Sequence, residues 1–199
     1  MMIRPATEKD VPEILSIYAP YVESTTVSFE YDVPCQRSFL QRFYDITAQF
    51  PWLVWEENGR ILGFAYASAP YSRVAYSWCA EPSIYLREEA CGKGIGKKLY
   101  TALEKILEQQ GYHVLYALIT AENHVSIAFH QKMGYEIKGD FPNCGYKFDR
   151  WLGLFWMEKR IKSVQSPSGF PTPWRAIVQD AKRFSNILDN LSLFYLQEI

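Results

Sequence analysis

The sequence predicts an α/β domain with a mixed central sheet, and three observations carry that prediction. Segments of strand and helix periodicity alternate along the chain. Asn58-Gly59 joins two apolar, β-branched runs, a hairpin signal because a type I′ turn needs positive φ at both central residues. A glycine-rich loop, "CGKGIG" at residues 91–96, opens an amphipathic helix.

The elements follow in order. "MIRPAT" reads as a strand, and Thr7 with Asp10 resembles a capping box at the start of the helix "EKDVPEILSIYAPYVE". "VSFEYDV" is a loop or short extended segment, and "QRSFLQRFYDITAQF" is a second helix after Pro34. The hairpin "PWLVWEENGRILGFAYAS" and the strand "AYSWCAEPSIYLRE" come next, with Pro82 predicting a bulge or interrupted pairing, since proline cannot donate to a ladder. After the glycine loop, Ile95, Leu99, Ala102, Leu103, Ile106 and Leu107 form one apolar stripe, and Gly111 sits where a left-handed cap belongs. "HVLYALIT" is a buried strand, "NHVSIAFHQKM" a helix ended by Gly134, and "YEIKGDF" and "WLGLFWMEKRI" are the last strands. The order βααβββαβαββ implies antiparallel hairpins with at least one parallel crossover.

We expect residues 1–162 to form this domain and 163–172, rich in Pro, Ser and Gly, to be a linker. Residues 173–199 are expected to be a helical extension. Thr172 and Pro173 make an N-cap and first-turn pair for a helix over about 173–193. Its seam of Ile177, Ala181, Phe184, Leu188, Leu191 and Tyr195 should dock on the same subunit or its mate.

Composition narrows the chemistry. The 199 residues are 48% hydrophobic and 22% charged, with a formal net charge of −1, which gives no electrostatic footprint for nucleic acid or an anionic membrane. No apolar run approaches the roughly 18 residues of a membrane span, and the chain starts in charged sequence, so a cytoplasmic protein is expected. Cys35, Cys79, Cys91 and Cys144 form no CxxC pair and no metal-ligand spacing with the histidines. Reduced thiols and no metal are the expectation.

The loop at 91–96 invites an anion. Backbone N–H groups at a helix N-terminus, freed of side chains by Gly92, Gly94 and Gly96, converge with the helix dipole on negative charge, and a diphosphate fits best. It is not a Walker loop, because Cys91 stands where the first glycine belongs and Lys98 where a Ser or Thr belongs. Nor is it a dinucleotide fingerprint, because Lys97 replaces the third glycine. A flexible glycine turn with solvated lysines is the plain alternative.

The stretches "IRPAT", "TVSF", "PWLVWE", "GFAYA", "RVAYSWCAEPSIYL", "GKGIGKKLY", "FHQKMGY" and "GYKFDRW", in that order over residues 2 to about 160, resemble the GCN5-related N-acetyltransferase (GNAT) family. The resemblance is closest to its phosphinothricin acetyltransferase group. It implies a GNAT fold, acetyl-coenzyme A as cosubstrate, a homodimer, and direct acetyl transfer to a primary amine. The coenzyme site it implies comprises backbone groups of Ile84 and Leu86, the loop residues Cys91, Gly92, Lys93, Gly94, Ile95, Gly96 and Lys97, and Asn123 and Ser126 on the following helix. Cys91 departs from the family's Arg or Gln at the first loop position, with Lys93, Lys97 and Lys98 able to compensate. Asn123 can equally be an N-cap.

Glu81 matches the family's general base, which an acceptor arriving as an ammonium requires. His130 stands where the group carries histidine, either as the acid that helps the thiolate leave or as a binding residue. For the acceptor, Arg73 matches a family arginine suited to a carboxylate, while Phe29 in "TVSF" and Lys147 in "GYKFDRW" fall in loops that wall the pocket. Phosphinothricin, methionine sulfoximine and methionine sulfone are the group's acceptors. Two other readings stay open: transfer to a polyamine, aminoglycoside or protein amine, and a non-catalytic acetyl-coenzyme A binder, against which the Glu81 and His130 pair speaks. A covalent role for Cys91, with its pKa lowered at a helix N-terminus, is a rival that sits under the diphosphate rather than the thioester.

Overall fold

The computed structural model describes residues 2–163, 166–180 and 186. Its strands are β1 (Met2–Pro5), β2 (Trp52–Glu57), β3 (Arg60–Ser68), β4 (Cys79–Leu86), β5 (Val114–Thr120), β6 (Glu136–Lys147) and β7 (Arg150–Arg160). Its helices are α1 (Val11–Ser24), α2 (Gln36–Thr47), α3 (Ile95–Gln110), α4 (His124–Lys132) and α5 (Trp174–Gln179). The expected order is found, and the strands form one mixed sheet, β1-β2-β3-β4-β5-β7-β6.

Every pairing is antiparallel except β4 with β5, and that one is short: Cys79 opposite Val114 and Ala80 opposite Leu115. Pro82 explains where it stops. The proline has no N–H to give to a ladder, so beyond Ala80 the two strands part and a cleft opens between them. On its other side Pro82 stays in register opposite Ala67, so the interruption is one-sided and no bulge forms in the β3–β4 ladder.

Strand periodicity divides the core into two layers. Along β2, Trp52 and Val54 pack with α1 and α2, while Leu53 and Trp55 pack with α3 on the opposite face. The α3 stripe buries Leu99, Leu103 and Leu107 completely. Thr7 and Asp10 form the expected capping box, and Asp10 also takes a two-pronged contact from Arg4 at 2.7 and 2.8 Å, which holds β1 against the entry to α1.

Two expectations change. β6 runs past "YEIKGDF" to Lys147, so most of "GYKFDRW" is strand and hairpin tip rather than a free loop. The turn is Phe148-Asp149, with φ of 51° and 57°, a left-handed pair that carries neither Gly nor Asn to announce it. The second change is at the end of the chain. α5 stops at Gln179, and Asp180 has φ −90° and ψ 91°, so no single helix runs from 173 to 193. Pro173 caps α5 instead of entering it. Of the proposed seam only Ile177 lies within the described residues.

The segment before α5 is fastened to the domain. Trp78 donates its indole N–H to the Gly169 carbonyl at 2.9 Å and stacks on Phe170. Gln110 donates to the carbonyls of Gln49 and Thr172 at 3.0 and 2.8 Å, and the Thr172 N–H returns a bond to Gln110 at 2.7 Å. Trp174 and Ile177 are buried against the α3 side of the sheet. No described helix is long and apolar enough to cross a membrane.

Candidate active site

The parting of β4 and β5 makes the site. Its cavity is lined by Glu81 to Tyr85 of β4, Ala117 to Thr120 of β5, Asn123, Ser126 and His130 around α4, and Val27 from the loop after α1. Strand alternation dictates which backbone groups face it. The Arg87 N–H bonds the Leu62 carbonyl at 2.9 Å, toward β3, so the polar groups of Leu86, Ile84 and Pro82 turn the other way, toward the cleft. Tyrosines approach two of those carbonyls: Tyr21 donates to Leu86 O at 2.6 Å, and the Tyr100 hydroxyl lies 3.4 Å from Pro82 O.

Glu81 sits one residue past the last β4–β5 pair, half-buried, on the strand position opposite Ser68. Burial raises its pKa above the usual carboxylate value, because low dielectric disfavours the charged form. A carboxylate in this state holds a proton more firmly than a surface glutamate does.

His130 is 4% exposed and engaged at both nitrogens. Nδ1 lies 2.8 Å from the Ser126 carbonyl, which can only accept, so Nδ1 carries the hydrogen. Nε2, 2.9 Å from the Tyr100 hydroxyl, is then the acceptor of that hydroxyl's proton. Burial lowers the pKa of the ring and keeps it neutral. In this arrangement the one proton of the neutral imidazole is directed at a backbone carbonyl rather than into the cleft.

The glycine loop follows a 3-10 turn at Glu88–Ala90. Gly92 and Gly94 have φ of 73° and 76°, which an L side chain rarely adopts, and Gly94 caps α3. The first α3 bond runs from Lys98 N–H to Gly94 O at 3.2 Å, so the N–H groups of Ile95 and Gly96 are not taken up inside the helix. A Cβ at Gly96 would make ordinary contact with Leu86 Cδ1 at 3.4 Å and Ile84 Cδ1 at 3.7 Å, which places the first turn of α3 directly on β4 beside the cleft. The side chains of Lys93 and Lys97 are exposed, and the Lys98 ammonium lies 5.8 Å from the Trp55 ring centre. Cys91 contacts the Arg87 carbonyl at 3.6 Å, and burial with Glu88 and Glu89 nearby pushes its thiol pKa up. That removes the ground for a Cys91 nucleophile.

Asn123 caps α4 by accepting the Ser126 N–H at 3.1 Å while lining the cleft, so both roles foreseen for it are compatible. The three acceptor residues fare differently. Phe29 is 37% exposed and lays its ring on β6, where a Cβ at Gly145 would come within 2.3 Å of it. Arg73 is exposed at the start of a 3-10 turn and lines a second cavity with Tyr71, Tyr112 and Phe170, none of which lines the cleft that holds Glu81 and His130. Lys147 is 2% exposed, and its ammonium donates to the carbonyls of Val22, Thr25 and Ser28 at 2.7, 3.0 and 2.7 Å. An ammonium has three donors, so the expected anion contact from Lys147 is corrected: its capacity is already taken.

Sequence reading missed Tyr100, Tyr21 and Thr120. Tyr100 carried a signal, since a tyrosine beside the apolar stripe of α3 must find a partner for its hydroxyl once buried. Among the described residues no cluster of three or more His, Cys, Asp or Glu could hold a metal ion.

Comparisons with known proteins agree with this geometry. A family model described as the acetyltransferase (GNAT) domain matches residues 3–156. A phosphinothricin N-acetyltransferase from Streptomyces viridochromogenes is 33% identical over 178 residues, 89% of this chain and 94% of that protein. An L-methionine sulfoximine/L-methionine sulfone acetyltransferase from Pseudomonas paraeruginosa is 35% identical over 167 residues, 82% of this chain and 96% of that protein. The crystal structure of a phosphinothricin acetyltransferase from Sinorhizobium meliloti, in complex with acetyl-CoA, superposes with a TM-score of 0.82 at 33% identity, covering 87% of this chain and 96% of that one. With the sheet parted at Pro82, the glycine loop at the head of α3 and these relatives, the chain belongs to the GNAT acetyltransferase family and is an acyltransferase.

Proposed function

We propose that this acyltransferase moves the acetyl group of acetyl-CoA to the primary amine of a small amino-acid-like acceptor of the phosphinothricin, methionine sulfoximine or methionine sulfone type. The observation that carries the reading is Glu81: a carboxylate with a raised pKa, at the mouth of the cleft where the strands part. Acceptors of those kinds act with the named relatives.

The chain suits the coenzyme. The cleft-facing N–H groups of Ile84 and Leu86 suit the amides of the pantetheine arm, and the N–H groups of Ile95 and Gly96 in the first turn of α3 suit its diphosphate. When bound, acetyl-CoA supplies a thioester carbonyl activated toward an amine. Glu81 takes the proton from the acceptor's ammonium, directly or through water, and its raised pKa brings it nearer to the operating pH, where a general base is most effective. Neutral His130 and Asn123 hold the shape of the cleft along α4.

Thiol release from acetyl-CoA against phosphinothricin, methionine sulfoximine, methionine sulfone, spermidine and a lysine peptide tests the reading. Turnover on one or more of the first three, and none on the last two, is expected. Turnover confined to spermidine or the peptide would move the enzyme to another amine class, and coenzyme binding without turnover on any amine would make it a binder.

A further inference from the structure

We propose that Lys147 is a positioning residue: it caps the C-terminus of α1 and clamps the loop that follows, and so sets the acceptor-side wall of the cleft. Its kinetic consequence rests on the acceptor reading above; its structural consequence does not.

The argument starts at the end of α1. A helix leaves its last carbonyls without partners and concentrates partial negative charge there, and the last turn of α1 contains no basic residue. Lys147 supplies the cation from β6, more than 100 residues away in sequence, bonding Val22 O in that last turn and then Thr25 O and Ser28 O in the loop. Buried charge needs compensation, and here three carbonyl dipoles, the helix terminus and the Phe148 ring, 4.9 Å from the ammonium, surround it.

Other contacts tie the same loop to the same strands. Thr120 of β5 donates to the Thr26 carbonyl, and Tyr31 donates to the Tyr146 carbonyl. Ser28 shares a 2.8 Å bond with Tyr18. Phe29 lies on the bare backbone of Gly145. Val27, at the centre of this stretch, faces the cavity that holds Glu81 and His130. Moving the clamp therefore moves a wall of the site, without Lys147 touching the substrate.

Lys147→Met keeps an apolar stem and removes all three bonds. Hydrogen exchange of the variant should show the amides of residues 25–31 opening about tenfold faster or more, with α3 and β5 unchanged, because only the tethered loop is released. With an acceptor that the wild type turns over, KM for the acceptor should rise about tenfold while KM for acetyl-CoA stays the same. Lys147→Arg, which keeps the cationic cap, should fall between the two and serves if the Met variant does not fold. Unchanged exchange in 25–31 with a raised acceptor KM would overturn the proposal in favour of direct anion binding by Lys147. Uniformly faster exchange throughout the chain would overturn it in favour of a general stabilising role. Should the wild type turn over none of the amino-acid acceptors, the functional reading fails while the exchange result still decides the role of Lys147.

Discussion

Nε2 of His130 accepts the hydroxyl proton of Tyr100 at 2.9 Å, in a pair buried where α3 meets α4. The bond ties the helix that carries the glycine loop to the helix that lines the far wall of the cleft. It also occupies the imidazole nitrogen that an acid would need.

Replacing His130 with Asn should therefore behave as a structural lesion. Tyr100 loses its shorter bond and keeps only the Pro82 carbonyl, 3.4 Å away, a loss of about 0.5–1.5 kcal/mol that urea unfolding should show. The turnover number should fall less than about tenfold, whereas loss of a true general acid removes about 10²–10⁴. A drop in that higher range with unchanged stability would return the acid role to His130.

Glu81 should destabilise the fold at neutral pH. Its pKa is raised in the folded state, so the native chain holds this proton more tightly than the unfolded chain. The stability it contributes is full below the unfolded carboxylate pKa and is lost as pH rises through the higher folded value. Glu81→Gln removes that titration. The variant should unfold at higher urea than the wild type near neutral pH, and the gap should close under acid conditions below the unfolded pKa. A variant less stable than wild type at neutral pH contradicts this account.

At Gly94 the backbone φ of 76° lies in the left-handed region, where a Cβ costs about 1–2 kcal/mol. Gly94→Ala should shift the loop away from the orientation that presents the first-turn N–H groups of α3. Calorimetric titration with acetyl-CoA should show weaker binding by about tenfold, in line with that strain. Nothing lies within 4 Å of a Cβ built at Gly94, so a steric clash is not the expected cause.

Trp174 is 3% exposed at the start of α5 and anchors the segment that follows the domain. Trp174→Ala should lower stability by about 3–5 kcal/mol, as large-to-small core changes do. The ratio of KM for acetyl-CoA to KM for the acceptor should not move, because Trp174 lines a cavity with Pro5, Thr7 and the end of α2 and is not part of the cleft lining. A selective change in either KM would link α5 to the site.

The sequence made some of this legible and hid the rest for physical reasons. The hairpin at Asn58-Gly59, the stripe of α3 and the interrupted pairing at Pro82 are local signals, each tied to a backbone conformation or a missing donor, and each is found. Phe148-Asp149 turns the chain the same way as Asn58-Gly59, but although Asp tolerates positive φ, Phe148 does not favour it, so the pair carries a weaker local signal than Asn-Gly. The extended Asp180 likewise breaks a helix that heptad spacing alone would continue.

Site residues divide along the same line. Glu81, Asn123 and His130 were found by pattern and do meet in one cavity. Lys147 was found by pattern and given the wrong partner, because its partners are carbonyls more than 100 residues away, and a carbonyl leaves no trace in a sequence. Arg73 reaches a different cavity from the one its motif implied.

The most direct test is single-turnover acetyl transfer by Glu81→Gln across pH, with acetyl-CoA affinity measured in parallel. The account predicts a transfer rate lower by about 10²-fold or more near neutral pH, with affinity for acetyl-CoA within about twofold of wild type. The wild-type rate should fall as pH drops through the raised Glu81 pKa, and the variant should lack that limb. A variant that keeps both the wild-type rate and its pH profile would remove Glu81 as the base.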